Sequence, residues 1–128
     1  MRLLLDTHAF IWWLSDNKLL SDLAHGAVAE PANVVFVSAA SAWEIAIKHR
    51  IGKLPIAAKL VGKLGGVLAH ERFIELPIAL AHAELAGSLA GEHRDPFDRM
   101  LIAQAICEDL TLVSNDRRFD AVAAPRLW

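Results

Sequence analysis

The sequence predicts an α/β protein in which helices cover both faces of a central parallel sheet. Short apolar runs alternate along the chain with segments of helical spacing, and this order implies right-handed crossover connections. One of the runs, residues 34–37, has no polar alternation, which is typical of a parallel strand buried on both faces.

Apolar runs predict four strands, at residues 2–5, 34–37, 73–76 and 110–113. Residues 125–128 are expected to add a short edge strand. Helical spacing predicts six helices, over residues 8–14, 21–29, 42–50, 56–64, 78–90 and 97–109. Ser21 is the expected N-cap of the second helix. Gly65 and Gly66 are expected to end the fourth.

Length and composition predict a single domain over residues 1–128, because a chain of this size buries one core. The hydrophobic fraction of 55% argues against disorder and indicates apolar surface kept for a partner. No uncharged apolar stretch approaches the roughly 18 residues of a membrane span, and the N-terminus lacks the pattern of a secretory signal. We therefore expect a cytoplasmic protein. The lone Cys107 cannot form an internal disulfide, and its apolar helical neighbours predict a buried structural thiol.

Four acidic residues occupy positions where strands end or helices begin. Asp6 follows the first strand and Asp116 the fourth, and Glu44 and Asp98 lie in the first turns of predicted helices. In an open α/β sheet such positions collect at one edge, so we expect one acidic pocket. Carboxylates about 4 Å apart repel by roughly 4 kcal/mol at an effective dielectric near 20. A divalent cation would relieve that repulsion.

Each acid also has a structural explanation. Ser41 and Glu44 have the spacing of a capping box, with the serine as N-cap and the glutamate returning to its amide. Asp95 is the expected N-cap of the helix that contains Asp98, with Pro96 at its first position. Asp6 and Asp116 are also suited to cap the turns that follow them. For any single acid the capping explanation suffices, and the coincidence of four favours a site.

Basic residues near these acids are weaker candidates. Lys48 stands four residues after Glu44, so an ordinary ion pair and a role in the site are equally consistent with the spacing. His8 and His93 lie near the acids in sequence, but the histidines lack the spacing of a zinc site. The arginines that flank the acids, which beside a metal would suit a nucleic-acid backbone, are Arg94, Arg99, Arg117 and Arg118.

Four segments together resemble the PIN-domain family, and more narrowly its VapC-type toxins. They are LDTH at residues 5–8, SAWEI at 41–45, DPFDRMLIAQA at 95–105 and SNDRRF at 114–119. The resemblance implies a three-layer α/β/α fold with strand order 3-2-1-4-5. It also implies an endoribonuclease toxin that depends on Mg²⁺ or Mn²⁺ and is neutralised by a small antitoxin. The family's acidic quartet matches Asp6, Glu44, Asp98 and Asp116, and its carboxylate-holding hydroxyls match Thr7 and Ser114.

The resemblance assigns roles that agree with hard-cation chemistry, in which Mg²⁺ takes oxygen ligands and keeps several waters. Asp6 and Asp98 are the expected direct ligands, Asp116 binds directly or through water, and Glu44 orients water or acts as general base. Whether one or two metals act, and whether Asp95 takes part, is left open. The alternatives are a phosphatase or phosphotransferase with Asp6 as nucleophile, or an inactive antitoxin-binding module. A phosphatase is disfavoured because His8 stands where a second aspartate would be expected.

Aromatic residues predict where the antitoxin binds. The predicted helices carry more large apolar side chains than one side of a thin sheet can bury, including Trp12, Trp13 and Trp43. Aromatic residues are enriched among the anchors of protein interfaces. We expect a hydrophobic groove near these helices that receives an antitoxin segment. A homodimer, or a hetero-oligomer with the antitoxin, is the expected assembly.

Overall fold

The computed structural model describes residues 1–91, 95–122 and 124–128. Its strands are β1 (Arg2–Leu5), β2 (Val34–Ser38), β3 (Ile74–Leu76), β4 (Thr111–Val113) and β5 (Arg126–Leu127). Its helices are α1 (Thr7–Leu14), α2 (Asp22–Ala29), α3 (Ala39–Arg50), α4 (Ala57–Leu60), α5 (Leu64–Glu71), α6 (Leu80–Ser88) and α7 (Pro96–Glu108). A 3₁₀ helix covers Arg117–Ala121. No helix among the described residues combines the length and apolar character needed to cross a membrane.

The five strands form one parallel sheet in the order β3-β2-β1-β4-β5. Leu5 pairs with Val37 on one side and with Val113 on the other, so β1 lies at the centre. The predicted strands and the predicted order are confirmed. The chain reverses its direction of winding between β1 and β4, and ligands of open α/β sheets bind at the carboxyl ends of such strands.

Two apolar clusters lie on opposite faces of the sheet, as expected for a three-layer fold. Leu3 and Leu5 of β1 belong to the cluster that contacts α1 to α5. Leu4, between them, belongs to the cluster formed with α7 and the 3₁₀ helix. Successive residues of a strand point to opposite faces, so one short run supplies both cores.

Helix α3 begins earlier than the sequence predicts. Its N-cap is Ser38, whose Oγ accepts a hydrogen bond from the Ala40 amide at 2.9 Å, and the helix runs from Ala39. The predicted capping box of Ser41 and Glu44 is therefore wrong, and Glu44 lies in the second turn instead of the first. The strand passes directly into the helix because Ser38 already caps it and two alanines follow, which favour helix.

Three further predictions about the middle and the end of the chain are wrong. Residues 56–64 do not form one helix, because Gly62 adopts a left-handed conformation with φ of 81° and separates α4 from α5. Gly65 and Gly66 lie inside the first turn of α5, which the packing of the buried Leu68 holds in place. Cys107 is exposed, because only the middle of α7 is buried and its last turn emerges from the core.

Candidate active site

All four predicted acids line one cavity of about 290 Å³, which we call the acidic cavity. Its described lining comprises Asp6, Thr7, His8, Glu44, Lys48, Asp95, Asp98, Asn115, Asp116 and Arg118. The adjacency of β1 and β4 brings Asp6 beside Asp116, and helices α3 and α7 supply Glu44 and Asp98. His93 and Arg94 lie outside the described residues.

Asp6 is both a helix cap and a member of the acidic cavity. Its Oδ1 accepts a hydrogen bond from the Ala9 amide at 2.7 Å, which caps α1. The residue is only 6% exposed, and burial raises the pKa of its carboxyl group above the ordinary value, although a hydrogen bond with Ser114 opposes the shift. The expected link between Ser114 and a carboxylate is thus present. Capping and site membership are compatible for this residue.

Burial and the other acids of the cavity together raise the pKa of Asp98. Burial, followed by the negative charges of Asp95, Asp6, Glu44 and Asp116, raises the pKa of its carboxyl group to about 7. Asp95 is the N-cap of α7, as predicted, and its Oδ1 accepts from the Phe97 amide at 2.8 Å. Without a bound cation, the cavity therefore favours keeping a proton on Asp98 near neutral pH.

Glu44 and Asp116 each pair with a basic side chain that also lines the cavity. Lys48 Nζ lies 2.9 Å from Glu44 Oε2, so the i,i+4 ion pair exists and lies within the acidic cavity. Arg118 contacts both carboxylate oxygens of Asp116, with Nη2 2.6 Å from Oδ2 and Nε 3.0 Å from Oδ1. Asp116 also caps the 3₁₀ helix by accepting from the Arg118 amide at 2.9 Å.

Two hydroxyl groups tie the elements of the site together. Thr7 Oγ1 donates to Ser41 Oγ at 3.0 Å and so joins the start of α1 to α3. The described partner of Thr7 is thus Ser41, whereas a carboxylate was expected. Ser114 Oγ accepts from the Asp116 amide at 3.0 Å, which fixes the turn after β4.

The sequence did not single out Asn115, although it lies directly before Asp116 at the end of a central strand and lines the cavity. Its position after β4 was the available signal. His8, by contrast, was predicted to lie near the acids, and its positive charge acts to lower the pKa of Asp6 against the effect of burial.

The donor chemistry of the cavity suits a hard divalent cation, since every acid offers carboxylate oxygens. Over residues 1–91, 95–122 and 124–128, however, no three His, Cys, Asp or Glu side chains are arranged closely enough to hold a metal ion. Two of the acids turn toward Lys48 and Arg118 instead. The residues present fit a cation by type.

A carboxylate-lined cavity at the switch point of a five-stranded parallel sheet defines an α/β/α protein with an acidic ligand site. The PIN domain model matches residues 3–125, and the chain belongs to the PIN-domain family. It is 31% identical over 125 residues to Ribonuclease VapC22 of Mycobacterium tuberculosis (strain ATCC 25618 / H37Rv), an alignment that covers 96% of this chain and 93% of the relative. The resemblance stated from the motifs is confirmed.

Solved structures agree on the fold. VapBC2 from Rickettsia felis, bound to a promoter DNA fragment, matches with a TM-score of 0.73 at 18% identity, covering 99% of this chain and 98% of the matched chain. VapBC-1 from nontypeable Haemophilus influenzae matches with a TM-score of 0.66 at 16% identity, covering 99% and 97%. A toxin–antitoxin complex from Klebsiella pneumoniae matches with a TM-score of 0.63 at 18% identity, covering 98% and 96%.

Proposed function

We propose that this protein is an endoribonuclease toxin that hydrolyses RNA phosphodiester bonds and is neutralised by a cognate protein antitoxin. The observation that carries the proposal is the shared cavity of Asp6, Glu44, Asp98 and Asp116. The similarity to a VapC ribonuclease over nearly the whole chain supports the reaction, and the VapBC structures support a protein partner.

The proposed cofactor is Mg²⁺ or Mn²⁺. Asp6 and Asp98 would hold it directly, Asp116 directly or through water, and Glu44 would orient water or accept its proton. A bound ion of this kind supplies a water of lowered pKa and neutralises charge on the phosphate. The raised pKa of Asp98 supports the proposal, because a cation would offset the burial and the neighbouring negative charges that raise it.

The chain's own groups have separate tasks in this scheme. Ser114 holds the Asp6 carboxylate, and the hydrogen bond between Thr7 and Ser41 keeps α1 and α3 in register. Lys48 and Arg118 lie within the cavity, and when they release Glu44 and Asp116 their N–H groups can donate to phosphate oxygens of RNA. Positive groups at the rim also offset the repulsion between the acids and the substrate.

The proposed partners and surroundings follow from the same family. An antitoxin segment would occupy a groove close to Trp12, and the protein would assemble as a homodimer or as a hetero-oligomer with its antitoxin. It would act in the cytoplasm, where RNA is accessible, as one domain over residues 1–128.

Phosphatase chemistry is less well supported, because Asp6 is buried and its Oδ1 already accepts a hydrogen bond from the Ala9 amide.

The test is RNA cleavage by the purified, antitoxin-free protein with Mg²⁺, with Mn²⁺, and with EDTA. Cleavage should require either ion, and Asp6→Asn and Asp98→Asn should abolish it while the proteins stay folded. Asparagine in place of Asp6 also caps a helix, and either exchange removes a negative charge from a crowded acidic pocket. Asp22→Asn, at an exposed acid outside the cavity, is the matched control. Undiminished cleavage in EDTA would overturn the metal mechanism. Hydrolysis of a phosphomonoester without RNA cleavage would favour the phosphatase.

A further inference from the structure

A second cavity of about 300 Å³ lies beside the acidic cavity, and we call it the side cavity. Arg118 lines both cavities and is therefore the wall between them. The side cavity is formed where the end of α6, the first half of α7 and the 3₁₀ helix meet, with Leu89, Ile102 and Val122 among its apolar walls. Its lining is apolar and positively charged, whereas the adjacent acidic cavity is lined by carboxylates.

Among the described residues, two guanidinium groups give the side cavity its polar character. Arg99 is fixed in place, because its Nε donates to the Ala86 carbonyl at 3.0 Å and its Nη2 donates to the Leu89 carbonyl. Arg118 is held on the other side by Asp116, with its side chain 63% exposed. A ligand of this cavity would thus contact apolar surface and positively charged planar groups. Only the side chain of Arg118 would separate it from the acidic cavity.

Unpaired nucleobases have the chemistry that these walls accept. They stack on apolar side chains and on guanidinium planes, and their edges carry acceptors for N–H donors. The volume is at the lower end of the range of about 300–1,000 Å³ seen for small-ligand pockets, which suits one base better than several. In a nucleotide, the base is joined through its ribose to the phosphate, so a base here keeps its phosphate near the acidic cavity.

We propose that the side cavity receives one unpaired nucleobase of the RNA substrate, next to the phosphodiester held in the acidic cavity. This rests on the proposed ribonuclease function and predicts a preference for single-stranded RNA. A base can enter only when it is splayed away from a partner strand. Arg118 then contacts the base on one side and the phosphate on the other, once it has released Asp116.

The experiment fills the cavity. Ala121 is an exposed residue at the end of the 3₁₀ helix and lines the side cavity, so Ala121→Trp should block it without disturbing the core. Ala83→Trp is the matched control, since Ala83 is exposed in α6 and lines neither cavity. Ala121→Leu is a smaller filling variant that serves if the tryptophan unfolds the protein.

Binding is measured on a cleavage-deficient Asp98→Asn background with a short single-stranded RNA and with copies in which each base in turn is removed. Without further substitution, loss of one base next to the cut should weaken binding about tenfold. Ala121→Trp should weaken binding of the intact RNA by a similar factor and erase the penalty for that missing base. Ala83→Trp should change neither.

Three results would overturn the proposal: no base whose removal matters, a penalty that persists in both Ala121 variants, or antitoxin binding that suffers while RNA binding does not. The last would mean that the cavity takes a protein segment. If the unmodified protein cleaves no RNA with Mg²⁺ or Mn²⁺, the proposed function itself fails. RNA cleavage combined with a persistent penalty rejects the side cavity alone.

Discussion

Arg118 binds Asp116 through both carboxylate oxygens, and the pair lies inside the acidic cavity. The arginine therefore supplies, from within the chain, positive charge that a bound cation would otherwise supply to this carboxylate. The side chain of Arg118 is mostly exposed, so the pair contributes little to the stability of the fold. Its significance is for ligand binding, because the positive charge of Arg118 would weaken the binding of a cation beside Asp116.

Arg118→Gln should therefore raise the affinity for Mn²⁺, by about fivefold or less because exposed ion pairs are weak. Calorimetric titration of the antitoxin-free protein measures it. Arg117→Gln is the matched control, since Arg117 is an equally exposed neighbour that does not line the acidic cavity. Unchanged affinity in Arg118→Gln would show that the arginine does not compete with the metal. An equal gain in both variants would indicate a general effect of charge.

The raised pKa of Asp98 predicts a pH-dependent stability of the metal-free protein. In the unfolded chain this carboxyl group titrates near its ordinary value of 3.8, and in the folded protein at about 7. Between these values the folded state binds more protons, so the free energy of unfolding falls as pH rises from about 4 to about 7 and then levels off. Asp98→Asn should remove this part of the slope.

Denaturant unfolding of both proteins between pH 4 and pH 8, with EDTA present, measures the difference. Subtracting the two curves gives the contribution of Asp98 together with its coupling to the neighbouring acids. Asp22→Asn should keep the slope of the unmodified protein. Parallel curves for Asp98→Asn and the unmodified protein would mean that Asp98 is not protonated near neutral pH. Saturating Mn²⁺ should reverse the trend if Asp98 holds the ion, since metal competes with the proton.

The sheet could be predicted from the sequence because apolar runs are unambiguous. Residues 2–5 and 110–113 contain the observed β1 and β4 almost to the residue, and their ends place Asp6 and Asp116. The order of the strands could be predicted only from the resemblance to the PIN-domain family, since no local sequence pattern shows which strands are neighbours. The convergence of the four acids then follows from the order, which is why the membership of the cavity was predicted well.

Predictions failed where two local signals competed. Ser38 and Ser41 are both good N-caps, and only the tertiary structure decides that Ser38 caps α3 while Ser41 accepts from Thr7. The sequence offered Lys48 as a partner of Glu44 without deciding for it, and it named no partner for Asp116. Spacing permits an ion pair with Lys48 or Arg118, but rotamers in the folded protein determine whether it forms.

Ser38 leads to a third prediction, because it joins the two helices that carry Glu44 and Asp98. Its Oγ caps α3 and donates to Gln104 Oε1 of α7, and both residues are fully buried. Ser38→Ala should lower the free energy of unfolding by about 2 kcal/mol or more, through loss of the cap and an unsatisfied buried oxygen. Ser88→Ala, at an exposed serine in α6, should stay within about 0.5 kcal/mol.

The affinity of the Ser38→Ala variant for Mn²⁺ tests whether Ser38 also affects the acidic cavity. If Ser38 and Gln104 hold α3 and α7 at the correct separation, affinity for the ion should fall at temperatures where the variant remains folded. A loss of stability with unchanged affinity would limit Ser38 to a structural role. Full stability would show that another group caps α3 in its absence.

The last prediction distinguishes two neighbouring tryptophans of α1. Trp13 is anchored, since its indole N–H donates to Glu71 Oε2 at 3.2 Å and its ring lies 4.9 Å from that of His25 and 6.1 Å from that of Phe73. Trp12 is half-buried like Trp13 and packs against the same core cluster, but its aromatic neighbours are His8 at 5.6 Å and Trp128 at 5.8 Å. Trp12 is therefore the better candidate for a side chain that a partner covers.

Trp12→Ala should weaken antitoxin binding by tenfold or more, as loss of an aromatic interface anchor does at about 1.4 kcal/mol or above, and leave metal-dependent cleavage largely intact. Trp13→Ala should instead lower stability more than Trp12→Ala and affect both activities through unfolding. Antitoxin affinity, RNA cleavage and thermal unfolding, measured on both variants, separate the two roles. If Trp12→Ala loses as much stability as Trp13→Ala and shows no selective loss of antitoxin binding, Trp12 belongs to the core and the groove lies elsewhere.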